Sequence, residues 1–294
     1  DISSLFYRGL PLVWRSPVTE KGPTYFEPRG DDWLRSFFGG LLTTCGLTTV
    51  GPPCKDEGEE LGLHGRVSNI PASSLAFDDE WLENDGEMKI EGKMKQAKVF
   101  GENLSLHRKI STKVDSGEVI ISDEVKNLGF KKTPHLILYH MNFGYPLLSP
   151  SSKLYLRPAE SFGVDERASS ELEKFDEFIS PENGYEERVY QFKFNADEGK
   201  AVLVNEDLLD NGLGIQLKFR TDNLPYMVEW KMMGQGEYVL GLEPTNCIHK
   251  KRSKLREEGK LPFIEPGEKK KYKIRLKILD GQDEISKAIS GLKR

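Results

Sequence analysis

Three polar residues interrupt apolar or glycine-rich stretches, and their side chains are of kinds that exchange protons near neutral pH. His64 lies in Leu63-His64-Gly65-Arg66, where a neighbouring glycine lets a ligand approach the backbone closely. His140 closes the apolar run Leu136-Ile137-Leu138-Tyr139, at a point where it can leave a core and reach a cleft. Glu243 ends Tyr238-Val239-Leu240-Gly241-Leu242 and is followed by Pro244. A glutamate is seldom buried without a partner or a task. Each residue also has a plain structural reading: a satisfied core histidine, a turn histidine, a carboxylate bonded to backbone amides. Taken together, two imidazoles and one carboxylate suit an acid/base pair.

Other chemistries are excluded by what is missing. The chain has no Gly-x-x-x-x-Gly-Lys-Ser/Thr phosphate loop and no Gly-x-Ser-x-Gly elbow. Gly212-x-Gly214 and Gly234-x-Gly236 lack the third glycine of a dinucleotide fingerprint. The five histidines, at 64, 107, 135, 140 and 249, form no His-x-His or His-x-x-x-His pair, so no metal is expected. Cys45, Cys54 and Cys247 are an odd count without metal spacing and read as reduced thiols.

The elements that must position these residues are strands. Tyr272, Ile274, Leu276 and Ile278 alternate with Lys271, Lys273, Arg275 and Lys277. Ile215-Phe219, Tyr190-Phe194 and Leu104-Ile110 alternate in the same way, the period of a half-buried strand. Turn signals such as Asn127-Leu128-Gly129, Asn211-Gly212 and Pro266-Gly267 fall between them. Helix is expected mainly at the C-terminal tail, where Ile285, Ala288, Ile289 and Leu292 follow helical spacing with Asp283 as cap. A second, weaker helical pattern lies within Glu166-Phe178. Gly51-Ser74 has little periodicity and much Gly and Pro, and a structureless loop of that length is often functional. Lys250-Lys260 reads as a solvated charged loop. No linker divides the chain, so residues 1–294 are read as one all-β domain.

Composition agrees with an ordinary globular protein. The 294 residues are 37% hydrophobic, and 42 Lys+Arg against 47 Asp+Glu leave a net charge of −5. That balance lacks the basic footprint of a nucleic-acid binder. The most apolar window, Leu136-Leu148, contains His140, Asn142 and Pro146 and is shorter than the ~20 residues of a membrane span. The opening Asp1-Ile2-Ser3-Ser4 is not a signal peptide, and a cytoplasmic location is expected.

The stretches Phe38-Gly39-Gly40-Leu41-Leu42-Thr43-Thr44-Cys45-Gly46-Leu47, Gly62-Leu63-His64-Gly65-Arg66 and Phe100-Gly101-Glu102-Asn103-Leu104 carry a family resemblance. So do Leu138-Tyr139-His140-Met141-Asn142-Phe143-Gly144-Tyr145-Pro146 and Gly241-Leu242-Glu243-Pro244-Thr245-Asn246. The sequence resembles the aldose 1-epimerase-like (galactose mutarotase-like) superfamily, and within it the DUF4432 branch. The resemblance implies a β-supersandwich of two large antiparallel sheets with a sugar cleft on one of them. It implies a carbohydrate substrate, no cofactor, and His140 as general acid with Glu243 as general base. His64 and Arg66 are implied as substrate-binding residues, with Asn142 and Tyr145 beside His140 completing the set. The superfamily also grips sugar hydroxyls with an Asp ahead of the Glu, and Asp207 and Asp210 lie in that region without a recognisable motif. Trp33, Trp81, Tyr139, Phe143, Tyr145 and Trp230 are available to stack on a sugar, Phe143 and Tyr145 being favoured by their nearness to His140. The implied activity is that of a sugar epimerase or mutarotase-like isomerase. A non-catalytic sugar binder, or a different sugar isomerase or lyase on the same scaffold, is the alternative.

Overall fold

A computed structural model describes residues 1–23, 26, 28–80 and 86–292. In chain order the strands of its two large sheets are β1 (Thr43–Leu47), β2 (Ser73–Glu80), β3 (Glu87–Ala97), β4 (Asn103–Lys113), β5 (Glu118–Asn127), β6 (Leu136–Gly144) and β7 (Ser152–Leu156). They continue as β8 (Glu160–Gly163), β9 (Arg188–Lys193), β10 (Glu198–Asn205), β11 (Leu213–Arg220), β12 (Tyr226–Met233), β13 (Tyr238–Thr245) and β14 (Lys269–Asp280). Six form one sheet in the order β8-β9-β12-β13-β6-β1, and eight form the other in the order β7-β10-β11-β14-β5-β4-β3-β2. The neighbouring strands run antiparallel, as the supersandwich expectation requires.

Alternation decides which face each residue occupies. In β14 Tyr272, Ile274 and Leu276 are buried while Lys271, Lys273 and Arg275 are exposed. The eight-stranded sheet thus shows one apolar face, and it meets Tyr139, Met141, Phe143, Tyr190, Phe192 and Leu242 of the six-stranded sheet in the main core. β6 differs, because all nine of its residues are buried. Its other face is covered too, by a second cluster that joins Leu136, Leu138, Cys45 and Val228 to Trp33, Phe37, Cys247 and Leu255 from loops and a helix. A strand covered on both sides needs no polar alternation, which explains its near-continuous apolar reading.

Among the described residues there are also three short α-helices. α1 (Glu166–Ser170) falls within the weaker helical pattern and is capped by Asp165, which accepts from the Ala168 amide at 2.7 Å. α3 (Gln282–Ile289) lies where its spacing placed it, but Gly281 is the capping residue and Asp283 sits in the first turn. α2 (Arg252–Glu257) corrects the expectation of a solvated loop. Arg252 and Arg256, one helical turn apart, both reach Asp56 on the Cys54–Asp56 strand, at 2.6 and 2.8 Å. Composition cannot show that the countercharge for this run lies about two hundred residues earlier.

One polar bridge crosses the main core. Arg108 on β4 donates to both oxygens of Asp123 on β5, at 2.9 and 2.6 Å, and to the Thr44 hydroxyl on β1 at 2.7 Å. The Tyr139 hydroxyl on β6 donates to Asp123 at 2.8 Å. All four are buried. Arg108 also meets the Asp1 carboxylate at 3.1 Å, but removing Asp123 takes the two-pronged countercharge of a buried guanidinium away. Asp123→Ala is therefore expected to lower unfolding stability by ~3–5 kcal/mol, measured by denaturant titration. A change below ~1 kcal/mol would show that Arg108 finds other partners.

Candidate active site

Register places the two candidate proton carriers side by side. β6 pairs with β13 so that Met141 lies opposite Leu242 and Leu138 opposite Thr245, which sets His140 opposite Glu243. Directly opposed residues have Cβ atoms only ~4.5–5.5 Å apart. His140 Nε2 accordingly lies 3.1 Å from Glu243 Oε1. Cross-strand geometry draws the two heads into contact and leaves no sugar-sized gap between them. That contact is not aligned as a hydrogen bond: Glu243 Oε1 and His140 Nδ1 both lack a protein partner. Gly241, two residues before Glu243, makes room for the carboxylate, since a Cβ there would stand 2.5 Å from Oε1.

The pair forms the floor of a cleft of about 320 Å³ on the outer face of the six-stranded sheet. This is within the range of small-molecule sites. Val228 on β12 and Val189 on β9 extend the floor, and Trp230 stands on its edge. Opposite, Trp33 and Phe37 stack at 4.5 Å between ring centres. Phe37 approaches the His140 ring at 4.9 Å, and Trp230 meets it edge-on at 5.5 Å. A larger depression of about 480 Å³ lies on the eight-stranded sheet, but solvated charges such as Lys109, Arg220, Lys271 and Lys273 line it.

Close backbone contact brings His64 to the same cleft. The amide of Gly46 on β1 donates to the His64 carbonyl at 2.9 Å, and the Arg66 amide returns a bond to Gly46 at 2.8 Å. A Cβ at Gly65 would fall on the carbonyls of Gly46 and Thr49, so only glycine permits this approach. His64 itself is held at φ +56°, a conformation costly for a residue with a Cβ. Its Nδ1 accepts from the Gly51 amide at 3.4 Å, which leaves the proton on Nε2. Trp33 lies against the ring at 4.6 Å and donates its indole N–H to Ser68 at 3.0 Å.

Burial governs the charges. It lowers the His140 pKa to about 3 and that of His64 well below its ordinary value, with neighbouring histidines adding to both. It lowers His249 to about 4, and raises the Glu243 carboxyl well above its usual range, with the Glu187 charge adding to that rise. The roles that the resemblance implies use an anionic Glu243 and a protonated His140. Burial disfavours both of those charges, raising the carboxyl and lowering the imidazole.

His64, His140 and Glu243 line the cleft together; Arg66, Asn142 and Tyr145 do not. Arg66 is exposed at the start of the 3-10 turn Val67–Asn69, where the Gly46–Gly65 contact has already turned the chain. Asn142 is on the His140 face, but its amide donates to the carbonyls of Gly40 and His140, both at 3.0 Å. Tyr145 lies beyond the end of β6 and is 73% exposed. Phe143 and Tyr139 point into the core between the sheets, since odd positions of β6 face away from His140. Trp81 lies outside the described residues. Asp207 and Asp210 follow β10 of the other sheet and are absent from the cleft lining.

Sequence reasoning missed Glu187, Asp31 and His249, all of which line the cleft. Glu187 accepts the Trp230 indole N–H at 2.6 Å. His249 is placed by Gln191, which accepts from its backbone amide at 2.9 Å and donates to the Cys247 carbonyl at 3.0 Å. The one available signal was that His249 follows Glu243 by six residues. Among the described residues no cluster of three or more His, Cys, Asp or Glu side chains is arranged to hold a metal ion. Among them, too, no helix is long and apolar enough to cross a membrane.

The two large antiparallel sheets have the galactose mutarotase-like fold. Within it, residues 1–278 match the model of a domain of unknown function, DUF4432, and the chain belongs to that family. A proposed aldose 1-epimerase from Klebsiella pneumoniae has the same fold, with a TM-score of 0.89 and 22% identity over 96% of this chain and 74% of its own. The galactose 1-epimerase of Lactobacillus acidophilus superposes with a TM-score of 0.61 at 14% identity, covering 95% and 88%. A galactose mutarotase-like protein of Clostridium acetobutylicum gives 0.57 at 15% identity, covering 83% and 80%. No curated protein matches the chain.

Two outcomes are expected. Burial also lowers the pKa of His135 to about 4, so the fold holds four uncharged imidazoles. An unfolded histidine titrates near 6.5. As pH falls from about 6.5, the unfolded chain takes up protons that the folded chain refuses, and stability drops by up to ~1.4 kcal/mol per pH unit for each. The Glu243 carboxyl, raised by burial, and that of Glu229, raised by burial to about 8, work the other way and offset part of this loss. Denaturant titration should show the protein less stable at pH 5 than at pH 7 by at least ~2 kcal/mol. Equal stability would mean that the imidazoles are solvated. Secondly, Arg66→Lys should change neither sugar binding nor melting temperature measurably, as for other exposed substitutions.

Proposed function

We propose that the protein is a sugar isomerase of the aldose 1-epimerase type, with His140 and Glu243 as its acid–base pair. The observation that carries the reading is the 3.1 Å approach of these two buried heads at the floor of an aromatic-walled cleft. Each keeps an atom that the protein leaves without a partner. Buried polar atoms are rarely left so, and sugar oxygens are suitable partners for both.

The chemistry needs one shared proton. The Glu243 carboxyl gives it to the ring oxygen while the neutral His140 imidazole takes the proton of the anomeric hydroxyl. The bond from C1 to the ring oxygen breaks and the C1 carbonyl forms. The open chain rotates about C1–C2 and recloses on the other face with the proton transfers reversed, so the pair is restored. Burial makes Glu243 the first donor and His140 the first acceptor, the reverse of the roles that the resemblance implies. Each proton transfer of this kind contributes ~10²–10⁴-fold. His64, with its Nε2–H, and His249 are placed to bind sugar hydroxyls.

A second reading, a sugar-binding protein without turnover, draws on the direct contact of the two heads, which leaves no space for a sugar oxygen until one side chain moves. Anomer exchange followed by NMR over a panel of sugars separates the two. On a sugar that the protein converts, Glu243→Gln should still bind while exchange falls by ~10²-fold or more. Gly241→Ala should push the carboxylate off its place and lower exchange by at least ~10-fold, the whole sheet being otherwise kept. Unchanged exchange in Glu243→Gln removes Glu243 from the mechanism, and binding without exchange in the unaltered protein supports the second reading.

A further inference from the structure

The charged residues of the cleft are unevenly placed. His140 and Glu243 at the floor are 4% and 2% exposed, whereas Asp31 and Glu187 are exposed and so stand at the mouth. Among the described residues that line the cleft there is no Lys or Arg. Of the arginines near these two in sequence, Arg35 is committed to Asp32 at 3.0 Å and Arg188 to Glu171 at 2.6 Å, while the exposed Arg29, two residues before Asp31, is absent from the cleft lining. Neither Asp31 nor Glu187 has a cationic partner among the described residues. Glu187 gives one oxygen to the Trp230 indole, which fixes its carboxylate over the entrance.

We propose that this cleft selects uncharged sugars and rejects phosphorylated or carboxylated ones, with Asp31 and Glu187 acting as the charge filter at its mouth. The inference rests on reading the cleft as a sugar site and goes further by fixing the charge class of the ligand. A phosphomonoester carries about −1.5 to −2 near neutral pH and is bound by Arg, Lys or clustered backbone amides. Here it would first pass two carboxylates, then enter a pocket whose imidazoles are kept neutral by burial. An anion desolvated without a countercharge is strongly disfavoured. A free sugar meets none of these costs. Its hydroxyls can donate to the carboxylates of Asp31 and Glu187, and its apolar face can lie on Trp33 or Trp230.

The test compares matched pairs that differ only in charge: glucose with glucose 6-phosphate, galactose with galactose 6-phosphate, mannose with mannose 6-phosphate. Anomer exchange is read by NMR, and binding by quenching of tryptophan fluorescence, since Trp33 and Trp230 form the cleft walls. The free sugar of the best pair should be favoured in kcat/KM by at least about 30-fold at low ionic strength, and the ratio should shrink as salt is raised. Asp31→Asn with Glu187→Gln keeps both shapes, and the glutamine carbonyl still accepts from Trp230. That double variant should narrow the ratio by roughly 10-fold through gain on the phosphorylated member. A phosphorylated sugar used as well as or better than its free partner overturns the proposal, and so does a ratio indifferent to both salt and the double variant. If no sugar is exchanged, the catalytic reading fails by itself and binding decides the charge class. Quenching by free sugars alone supports the filter. Quenching by phosphorylated sugars, or by none, overturns it.

Discussion

The site depends on one constraint, the antiparallel register between β6 and β13. Because Met141 faces Leu242 and Leu138 faces Thr245, an imidazole and a carboxyl are fixed opposite each other on the same face of the sheet. A slip of one residue would turn either head into the core between the sheets. The pairing is secured by interactions that have nothing to do with chemistry. The Thr245 hydroxyl donates to the Ile137 carbonyl at 2.9 Å, and the Asn246 side chain both accepts from the Ile137 amide and donates to the His135 carbonyl, each at 2.9 Å. The segment just beyond Glu243 thus clamps the two strands at the end of their ladder.

Burying that pair requires a cover, because a sheet whose outer face met water would leave His140 and Glu243 solvated and close to their ordinary pKa values. The cover comes from distant pieces of chain. The turn carrying Trp33 and Phe37 supplies one wall, and the loop carrying His64 is fastened to the β1 edge through Gly46 and Gly65. The segment after β13 adds His249 and then α2, whose arginines are tied to the Asp56 hairpin. Most of these contacts are backbone or ionic, so the cover is held without filling the cleft that it encloses.

The strands were legible because alternation follows directly from the pleat: Tyr272, Ile274 and Leu276 could be assigned to the core from spacing alone. His64, His140 and Glu243 were legible because each broke a local pattern. Tyr145 and Phe143 were placed by nearness in sequence to His140, and Arg66 by a family resemblance that follows the chain and not the turn after Gly65; none of the three lines the cleft. In a strand the adjacent residue points the other way, and after a tight turn the next side chain leaves the site. Glu187 and His249 were invisible for the complementary reason. Each sits in irregular sequence with no pattern to break, and reaches the cleft only through a tertiary contact, the Trp230 indole for one and Gln191 for the other. The α2 arginines were misread because composition does not reveal a countercharge on a remote hairpin.

The division of labour between strands and loops has a consequence for how such a protein changes over time. His140 and Glu243 are mounted on the interior of a sheet, where position is fixed by ladders and packing. Every other wall residue except Val189, Val228 and Trp230 comes from a segment outside the two sheets. Insertions or exchanges in those segments can reshape what enters the cleft without moving the pair at its floor, since surface loops tolerate length changes far better than strands do. The architecture therefore separates change in the walls of the cleft from preservation of its floor.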